Sequence, residues 1–165
     1  MTSTVEQSIE QALATLQEAS PFLGNVLKNK PVVVTEDVYT VAVSTDGKTI
    51  QISGKWVSNL TQQNLNYVMA FLALGEIYDH RGRRGDRDPK LWGMACNYMI
   101  HGTLYGMIEL PKDKFDAPVD ILRDPRFNPA VLTSEEIYET LLAEQATYRY
   151  TTDDIRDAVH KESKS

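Results

Sequence analysis

The sequence predicts an α+β fold, with five to six helices around a buried central helix and one small antiparallel β-sheet. The central helix is predicted over residues 62–78, because the stretch from Tyr67 to Gly75 is apolar on nearly every side. A helix without a polar stripe is buried on all sides. The sheet is predicted from β-branched runs that flank the pair Asp46-Gly47, which is typical of a tight hairpin turn.

Two helices are predicted before the sheet. Apolar residues recur at helical spacing over residues 5–19, as at Ile9 and Leu16, so this segment should be an amphipathic helix. Ser20 and Pro21 then pair an N-cap with a proline at the first helical position. A short second helix is therefore expected through residue 27.

Three strands are predicted next, from β-branched residues and from alternation on either side of the hairpin turn. Val41 and Val43 alternate with Ala42, and Ile50 and Ile52 alternate with a glutamine. The predicted strands are residues 31–38, 39–44 and 49–53.

Three more helices are predicted after the central one. Asp88-Pro89 repeats the cap-and-proline signal, Thr133 and Glu136 form a capping box, and Thr151 is a further N-cap. These helices are predicted over residues 88–106, 133–146 and 151–159, with an irregular loop at 79–87 and another at 109–129.

Composition describes one acidic domain. The 165 residues carry a net charge of −6, which argues against general nucleic-acid binding because that function needs a positive field. Cys96 is the single cysteine, so the chain cannot form an internal disulfide and fits a reducing compartment. The longest uncharged apolar run, residues 67–75, is too short to span a membrane. A cytoplasmic protein without a membrane segment is expected.

The acidity lies at the two ends of the chain. Residues 1–20 contain three glutamates and no Lys or Arg, and residues 133–165 contain eight acidic and four basic side chains. The predicted organisation is an N-terminal amphipathic helix at 1–20, a main domain at 21–146, and a C-terminal helix with a short tail at 147–165.

Several short sequence segments, taken together, resemble those of a known family. They are Pro21-Phe22-Leu23, Asp46-Gly47-Lys48, Arg87-Asp88-Pro89-Lys90-Leu91-Trp92, Ala95-Cys96-Asn97-Tyr98, Leu110-Pro111, Asp124-Pro125-Arg126-Phe127 and Ser134-Glu135-Glu136-Ile137-Tyr138. In this order they resemble the metallopeptidase-like domain associated with von Willebrand A domains in bacterial and phage proteins. The resemblance covers roughly residues 21–145 and implies a zincin-like fold.

The resemblance also implies a catalytic motif that this sequence lacks. In the family, His-Glu-x-x-His on the central helix would hold zinc and supply a general base. Counted back from the Arg-Asp-Pro phrase, the two histidines fall at Phe71 and Gly75 and the glutamate at Leu72. These are degenerate site positions without catalytic residues, and we expect Phe71 and Leu72 to be buried in the former cleft.

A displaced polar site is the alternative. Glu76 and His80 are spaced i,i+4 and share a helix face if the central helix continues that far, and Asn97 and His101 have the same spacing on the next helix. Glu76, His80 and His101 form a donor set that is adequate for zinc. The simpler interpretation is that Glu76 and His80 cap and solvate the end of a buried helix, with no metal or other cofactor bound. Asn97 and His101 would then supply hydrogen bonds in a semi-buried interface.

Charged residues near the loop at 79–87 and on the helix after Thr133 are candidate partner contacts. Arginines in the loop could bind a phosphate or an acidic partner, but a solvated loop with Asp86, Asp88 and the helix end as counter-charges is the favoured interpretation. The candidate contacts are Arg81, Arg83, Arg84, Glu135 and Glu139.

Three functions follow from these observations. The first is a catalytically inactive metallopeptidase-like protein that binds a protein partner of unknown identity; if phage-encoded, it would modulate or inhibit a host protein in the host cytoplasm. The second is a metal-dependent hydrolase with ligands relocated to Glu76, His80 and His101. The third is an acidic mimic of nucleic acid, while nucleic acid itself is not the expected partner.

Overall fold

A computed structural model of the chain describes residues 4–44, 46–118 and 124–145. These residues fall into two compact units. The first contains the described residues up to Arg83 together with 103–118, and the second contains 84–102 together with 124–145.

The described residues contain seven helices. They are α1 (Thr4–Ala19), α2 (Pro21–Leu27), α3 (Gly54–Ser58), α4 (Gln62–Tyr78), α5 (His80–Arg83), α6 (Pro89–Gly106) and α7, which covers residues 134–145. Five of them confirm the predicted helices, whereas α3 and α5 were not predicted. The helix predicted at 151–159 lies outside the described residues. None of the described helices has both the length and the apolar character that a membrane span requires.

The predicted caps form as hydrogen bonds. The hydroxyl of Ser20 accepts from the backbone N–H of Leu23 at the start of α2. At α7, the carboxylate of Glu136 accepts from the backbone N–H of Thr133 at 3.0 Å, and the Thr133 hydroxyl accepts from the backbone N–H of Glu136 at 3.2 Å. Because each cap satisfies donors that a helix end leaves unpaired, these helix starts are set locally.

The sheet has three short strands and is mixed, not antiparallel as predicted. The strands are β1 (Val32–Val34), β2 (Val41–Val43) and β3 (Ile50–Ile52), in the spatial order β1-β3-β2. A hairpin pairs β2 antiparallel with β3, but β1 pairs parallel with β3. The chain crosses from β1 to the far edge before the hairpin returns it between the two edge strands. For this reason, β3 runs in the same direction as β1.

The turn between β2 and β3 has the conformation that its sequence predicts. Gly47 has φ 76°, which glycine adopts without steric cost. The backbone N–H of Ser44 bonds to the carbonyl of Thr49, and the carboxylate of Asp46 accepts from the Lys48 N–H. The hydrogen bond from the Ser44 hydroxyl is the main cause that lowers the pKa of Asp46.

In the first unit, α4 packs against both α1 and α2. Residues 65–70 and 72–74 of α4 are buried in succession, which confirms that this helix has no solvent-facing stripe over most of its length. The α1–α2 crossing is close at Gly24, where a Cβ atom would lie 2.6 Å from the Cα of Gln17. Because the two helix backbones are so close there, only glycine fits at position 24.

In the second unit, aromatic residues of α6 and α7 pack on one another. The rings of Trp92 and Tyr138 meet edge to face at 6.2 Å, and the Arg87 guanidinium lies over both rings. The Tyr138 hydroxyl accepts from the backbone N–H of Asp88, next to the first residue of α6. Tyr98 of α6 packs similarly against Phe127, at 5.0 Å.

Candidate functional site

The middle of α4 carries the three positions where the family resemblance places zinc chemistry. Leu72 is buried, with 6% of its surface exposed, whereas Phe71 and Gly75 are only partly buried. The expected burial is therefore confirmed for Leu72 and is incomplete for Phe71. None of the three side chains offers a nitrogen, oxygen or sulfur donor. A zinc ion with its general base does not fit these residues.

The first carboxylate beyond this segment belongs to Glu76, near the end of α4. One of its oxygens lies 3.2 Å from the Lys30 ammonium, and the other lies 3.3 Å from the Arg81 guanidinium. Only 17% of the Glu76 side chain is exposed, so both ion pairs are shielded from solvent on the carboxylate side. In this arrangement Glu76 joins three segments of the first unit.

The two basic partners of Glu76 also contact the hairpin turn. The Lys30 ammonium donates a hydrogen bond to the carbonyl of Gly47. The Arg81 guanidinium lies against the same glycine, in the space that a Cβ atom would take. A side chain at position 47 would therefore displace Arg81, which is a second reason for a glycine in this turn. The cluster of Lys30, Gly47, Glu76 and Arg81 is called the Glu76 cluster below.

Asp79 interrupts the helix between Glu76 and His80. This residue has φ 53°, in the left-handed region, and ends α4 after Tyr78. The chain then forms the four-residue helix α5, so the prediction of a loop over 79–87 is wrong for residues 80–83. Gly82 makes the tight restart possible, since a Cβ atom there would lie 2.6 Å from the Asp79 carboxylate. Glu76 and His80 are consequently not on successive turns of one helix, which was the condition for their predicted shared face.

His80 is buried at the start of α5. Its ring stacks on Tyr78 at 5.1 Å, and the Tyr78 hydroxyl is 2.7 Å from the Thr103 hydroxyl. Arg83 donates to the Tyr78 carbonyl at 2.8 Å, which adds a charged hydrogen bond to the end of α4. These contacts explain the helix end by packing and hydrogen bonding.

Asn97 and His101 lie one turn apart on α6, as their spacing predicts. Asn97 is partly buried and His101 is buried. Burial lowers the pKa of His101 from 6.5 to about 4, since a charged imidazolium is poorly solvated there. His101 is therefore neutral at pH 7, the form in which an imidazole can bind a metal or make neutral hydrogen bonds.

No group of three or more His, Cys, Asp or Glu side chains in residues 4–44, 46–118 and 124–145 is arranged to hold a metal ion. The chemistry that the Glu76 cluster does support is ion pairing.

The remaining candidate contacts differ in exposure. Arg84 and Glu139 are exposed, whereas Glu135 is partly buried on α7. Arg81 and Arg83, in contrast, have the intramolecular partners described above. Within the basic segment 81–87, Arg84 is thus an exposed candidate contact for a partner.

The sequence singled out Glu76 and Arg81, but it did not indicate that Lys30 and Gly47 lie beside them. Lys30 follows α2 and carries no motif, and Gly47 was identified only as a turn residue. No local pattern connects them to α4, because their proximity arises when the hairpin and α4 pack in the same unit. A glycine in a turn with an acidic residue elsewhere is too common a combination to serve as a signal.

The chain matches a known protein family. Residues 4–165 match the family described as a putative metallopeptidase domain. Because the match covers nearly the whole chain, this protein belongs to that family. No curated protein and no solved structure matches the chain.

Proposed function

We propose that this family member binds a partner protein and does not hydrolyse peptide bonds with zinc. The observation that carries the proposal is the chemistry of α4 at positions 71, 72 and 75. Zinc hydrolysis needs imidazoles one helical turn apart and an adjacent carboxylate. Phenylalanine, leucine and glycine provide none of these groups, and the 165 residues contain no His-Glu-x-x-His elsewhere.

The contacts of Glu76 support the same proposal. This carboxylate lies one position beyond the degenerate segment and would be the nearest replacement for a general base. Its two oxygens instead lie 3.2 Å from the Lys30 ammonium and 3.3 Å from the Arg81 guanidinium. Both oxygens are therefore engaged in ion pairs at the end of α4.

A zincin-like arrangement is part of the proposal. Its support is the family membership together with the order of elements, in which a mixed sheet with an antiparallel edge strand is followed by the buried helix α4 and then by α6. A fold does not fix a function, so a member without the catalytic groups can retain the scaffold for binding. If the protein is phage-encoded, a host cytoplasmic protein is the first class of partner to test.

The enzymatic half of the proposal is tested by activity and metal content. Protein without a histidine tag is incubated with zinc, dialysed, and analysed by mass spectrometry and with a fluorogenic peptide library. We expect less than one-tenth equivalent of zinc and no turnover above the buffer rate. Stoichiometric zinc and peptidase activity that both disappear in His80→Ala and His101→Ala would overturn the proposal and favour the relocated hydrolase site.

The binding half is tested by capture followed by reconstitution. The immobilised chain is exposed to native cytoplasm, and each retained protein is purified and mixed with the chain in solution. A complex of defined stoichiometry by light scattering, formed equally with and without a chelator, is the expected result. Retention of nucleic-acid-binding proteins that DNA displaces in a salt-dependent manner would instead favour the nucleic-acid mimic.

A further inference from the structure

Among the described residues, strand β1 lies at one edge of the sheet. Alternate backbone groups of β1 point toward β3. The Ile50 N–H bonds to the Pro31 carbonyl, and the Thr35 N–H bonds to the Ile52 carbonyl, in agreement with the parallel register. Because backbone groups alternate along a strand, those of Val32 and Val34 point the other way. Within the described residues, no strand pairs with β1 on that side. Such an edge is a template for an additional strand.

A groove runs beside this edge, between β1 and one face of α1. It encloses about 740 Å³ and lies wholly within the first unit. Its apolar lining includes Ile9, Leu13, Leu27, Val32 and Val34. We call it the β1–α1 groove. An apolar surface beside unpaired strand groups matches the two requirements of strand addition, which are backbone hydrogen bonds and pockets for alternate side chains.

The length of the groove sets the size of its occupant. The α1 wall extends from Glu6 to Gln17. At 1.5 Å per residue this is about 16 Å along the helix axis. An extended chain rises about 3.3 Å per residue, so about five residues fill the groove. The proposal is therefore a short extended segment, whose backbone can pair with β1.

The charge of the α1 wall sets the chemistry of the occupant. Glu6 and Glu10 line the wall, and residues 1–20 contain no Lys or Arg. On the opposite side, the charge of Lys30 is paired with Glu76, while Lys28 is exposed at the approach to β1. A basic side chain is therefore favoured along the α1 wall and disfavoured beside Lys28.

We propose that the β1–α1 groove binds an extended segment of a partner protein, with alternating apolar residues and a flanking Lys or Arg, as a fourth strand on the edge of β1. This inference rests on the proposed protein-binding function and gives it a surface. The segment would bond to the backbone of Val32 and Val34, place apolar side chains over the groove floor, and direct its basic residue toward Glu10.

Matched variants separate the groove from the rest of α1. Ala14 lines the groove and is exposed, so Ala14→Arg adds bulk and a like charge for a basic peptide without disturbing the core. Gln7 is exposed on α1 outside the groove, so Gln7→Arg adds the same charge elsewhere. Arginine is a good helix former, and both variants should fold. Glu10→Gln tests the charge of the wall alone.

The probe is a synthetic heptapeptide in which three valines alternate with two threonines between terminal lysines. Two further peptides serve as controls: one with terminal glutamates and one with every backbone nitrogen methylated. Binding is followed by NMR titration and by amide hydrogen exchange. We expect exchange at Val32 and Val34 to slow at least tenfold at saturation. Exchange at Val33, which already faces β3, should be unchanged.

The variants and controls then decide the inference. Ala14→Arg should weaken peptide binding at least tenfold, Glu10→Gln several-fold, and Gln7→Arg less than twofold. The methylated peptide should not bind, and the glutamate peptide should bind at least tenfold more weakly. Unchanged exchange at Val32 and Val34, or equal binding by Ala14→Arg and the unsubstituted chain, overturns the inference. Self-association that Ala14→Arg abolishes also overturns it, by making a second copy the occupant.

This outcome is separable from the proposed function. If a reconstituted partner binds the unsubstituted chain and Ala14→Arg equally, the groove is not the binding surface, but protein binding stands. If neither a partner nor the heptapeptide binds, both the groove and the protein-binding function fail. If the partner is lost in Ala14→Arg and retained in Gln7→Arg, both are supported.

Discussion

The carboxylate of Glu76 lies 3.2 Å from the ammonium of Lys30, and this ion pair joins the end of the most buried helix to the segment that enters the sheet. Lys30 also donates to the carbonyl of Gly47, and Arg81 contacts both Glu76 and Gly47. The hairpin turn is thereby fixed to the end of α4. Glu76, which the relocated-hydrolase hypothesis treats as a zinc ligand, instead connects the end of α4 to the hairpin turn.

Removing the charge of Glu76 should destabilise the protein. Glu76→Gln preserves side-chain size but leaves Lys30 and Arg81 without their anion. The two side chains of the Lys30 pair are only 20% and 17% exposed, so the loss should exceed that of a surface pair. We expect the free energy of unfolding to fall by about 1–2 kcal/mol, as measured by urea denaturation.

Glu18→Gln is the matched control, because Glu18 is an exposed glutamate on α1. Its effect should stay within about 0.5 kcal/mol. Amide exchange in the hairpin turn should accelerate in Glu76→Gln and not in Glu18→Gln. Equal stabilities for the two variants would show that the Glu76 cluster contributes little to the fold.

Restoring the family motif should be costly. In Phe71→His/Leu72→Glu/Gly75→His, a carboxylate replaces Leu72, which is 6% exposed. A buried charge without a partner is strongly unfavourable, so we expect a loss of about 3 kcal/mol without metal. Phe71→His alone should cost less, because Phe71 is only partly buried.

Thermal unfolding with and without zinc measures both effects. If the restored side chains bind zinc, the triple variant should regain stability with the logarithm of the zinc concentration above the dissociation constant, while the unsubstituted chain should not respond. Unchanged stability of the triple variant without metal would contradict a dry, apolar site at Leu72.

Stability should depend on pH through His101. Its pKa is about 4 in the folded protein against 6.5 for an unburied histidine, so the unfolded chain binds the additional proton between these values. Stability from this group is thus complete above pH 6.5 and is lost as the pH falls toward 4. Between pH 7 and pH 4.5 the loss should be about 2 kcal/mol.

The measurement compares urea denaturation of the unsubstituted chain and His101→Gln at both pH values. Carboxylates titrate in both proteins, so the difference between their pH dependences isolates the imidazole. The variant should show the smaller decrease on acidification. Parallel curves, or an NMR titration of the His101 ring near pH 6.5, would contradict this prediction.

The sequence predicts elements whose determinants are local. The caps at Ser20 and Thr133 and the turn at Gly47 formed as expected, since each depends on residues within one turn of chain. Helix α3 was missed because its cap is completed from a distance: Ser53 accepts from the Trp56 N–H, while its own hydroxyl donates to Glu36 at 2.7 Å.

Features that depend on the path of the chain were less predictable. The direction of β1 follows from a crossover that no strand pattern records, so the sheet was expected to be antiparallel. The candidate site shows the same limit. Position 76 was selected from spacing, but its ion pairs depend on Lys30, which lies on another segment, and on the break at Asp79.

The close crossing of α1 and α2 gives a final prediction, which compares two glycines within helices. At Gly24 a Cβ atom would lie 2.6 Å from the Cα of Gln17, a backbone atom that cannot rotate away. Gly24→Ala should therefore separate the helices and lower the free energy of unfolding by about 2–3 kcal/mol. At Gly93 in α6, no heavy atom of the described residues beyond the surrounding helix backbone lies within 4 Å of the added Cβ. Gly93→Ala should instead stabilise the protein by about 0.5–1 kcal/mol, because alanine loses less backbone entropy in a helix.

Urea denaturation of the two variants tests the crossing directly, since the chemical change is identical and only the surroundings differ. The changes in the free energy of unfolding are expected to have opposite signs in the two variants. In Gly24→Ala, amide hydrogen exchange should accelerate first at the α1–α2 contact. A stable Gly24→Ala protein would mean that α2 can move away from Gln17 without loss of packing, and the close approach would then be incidental. Destabilisation by Gly93→Ala would show that α6 is more tightly enclosed at that position than its open surroundings indicate.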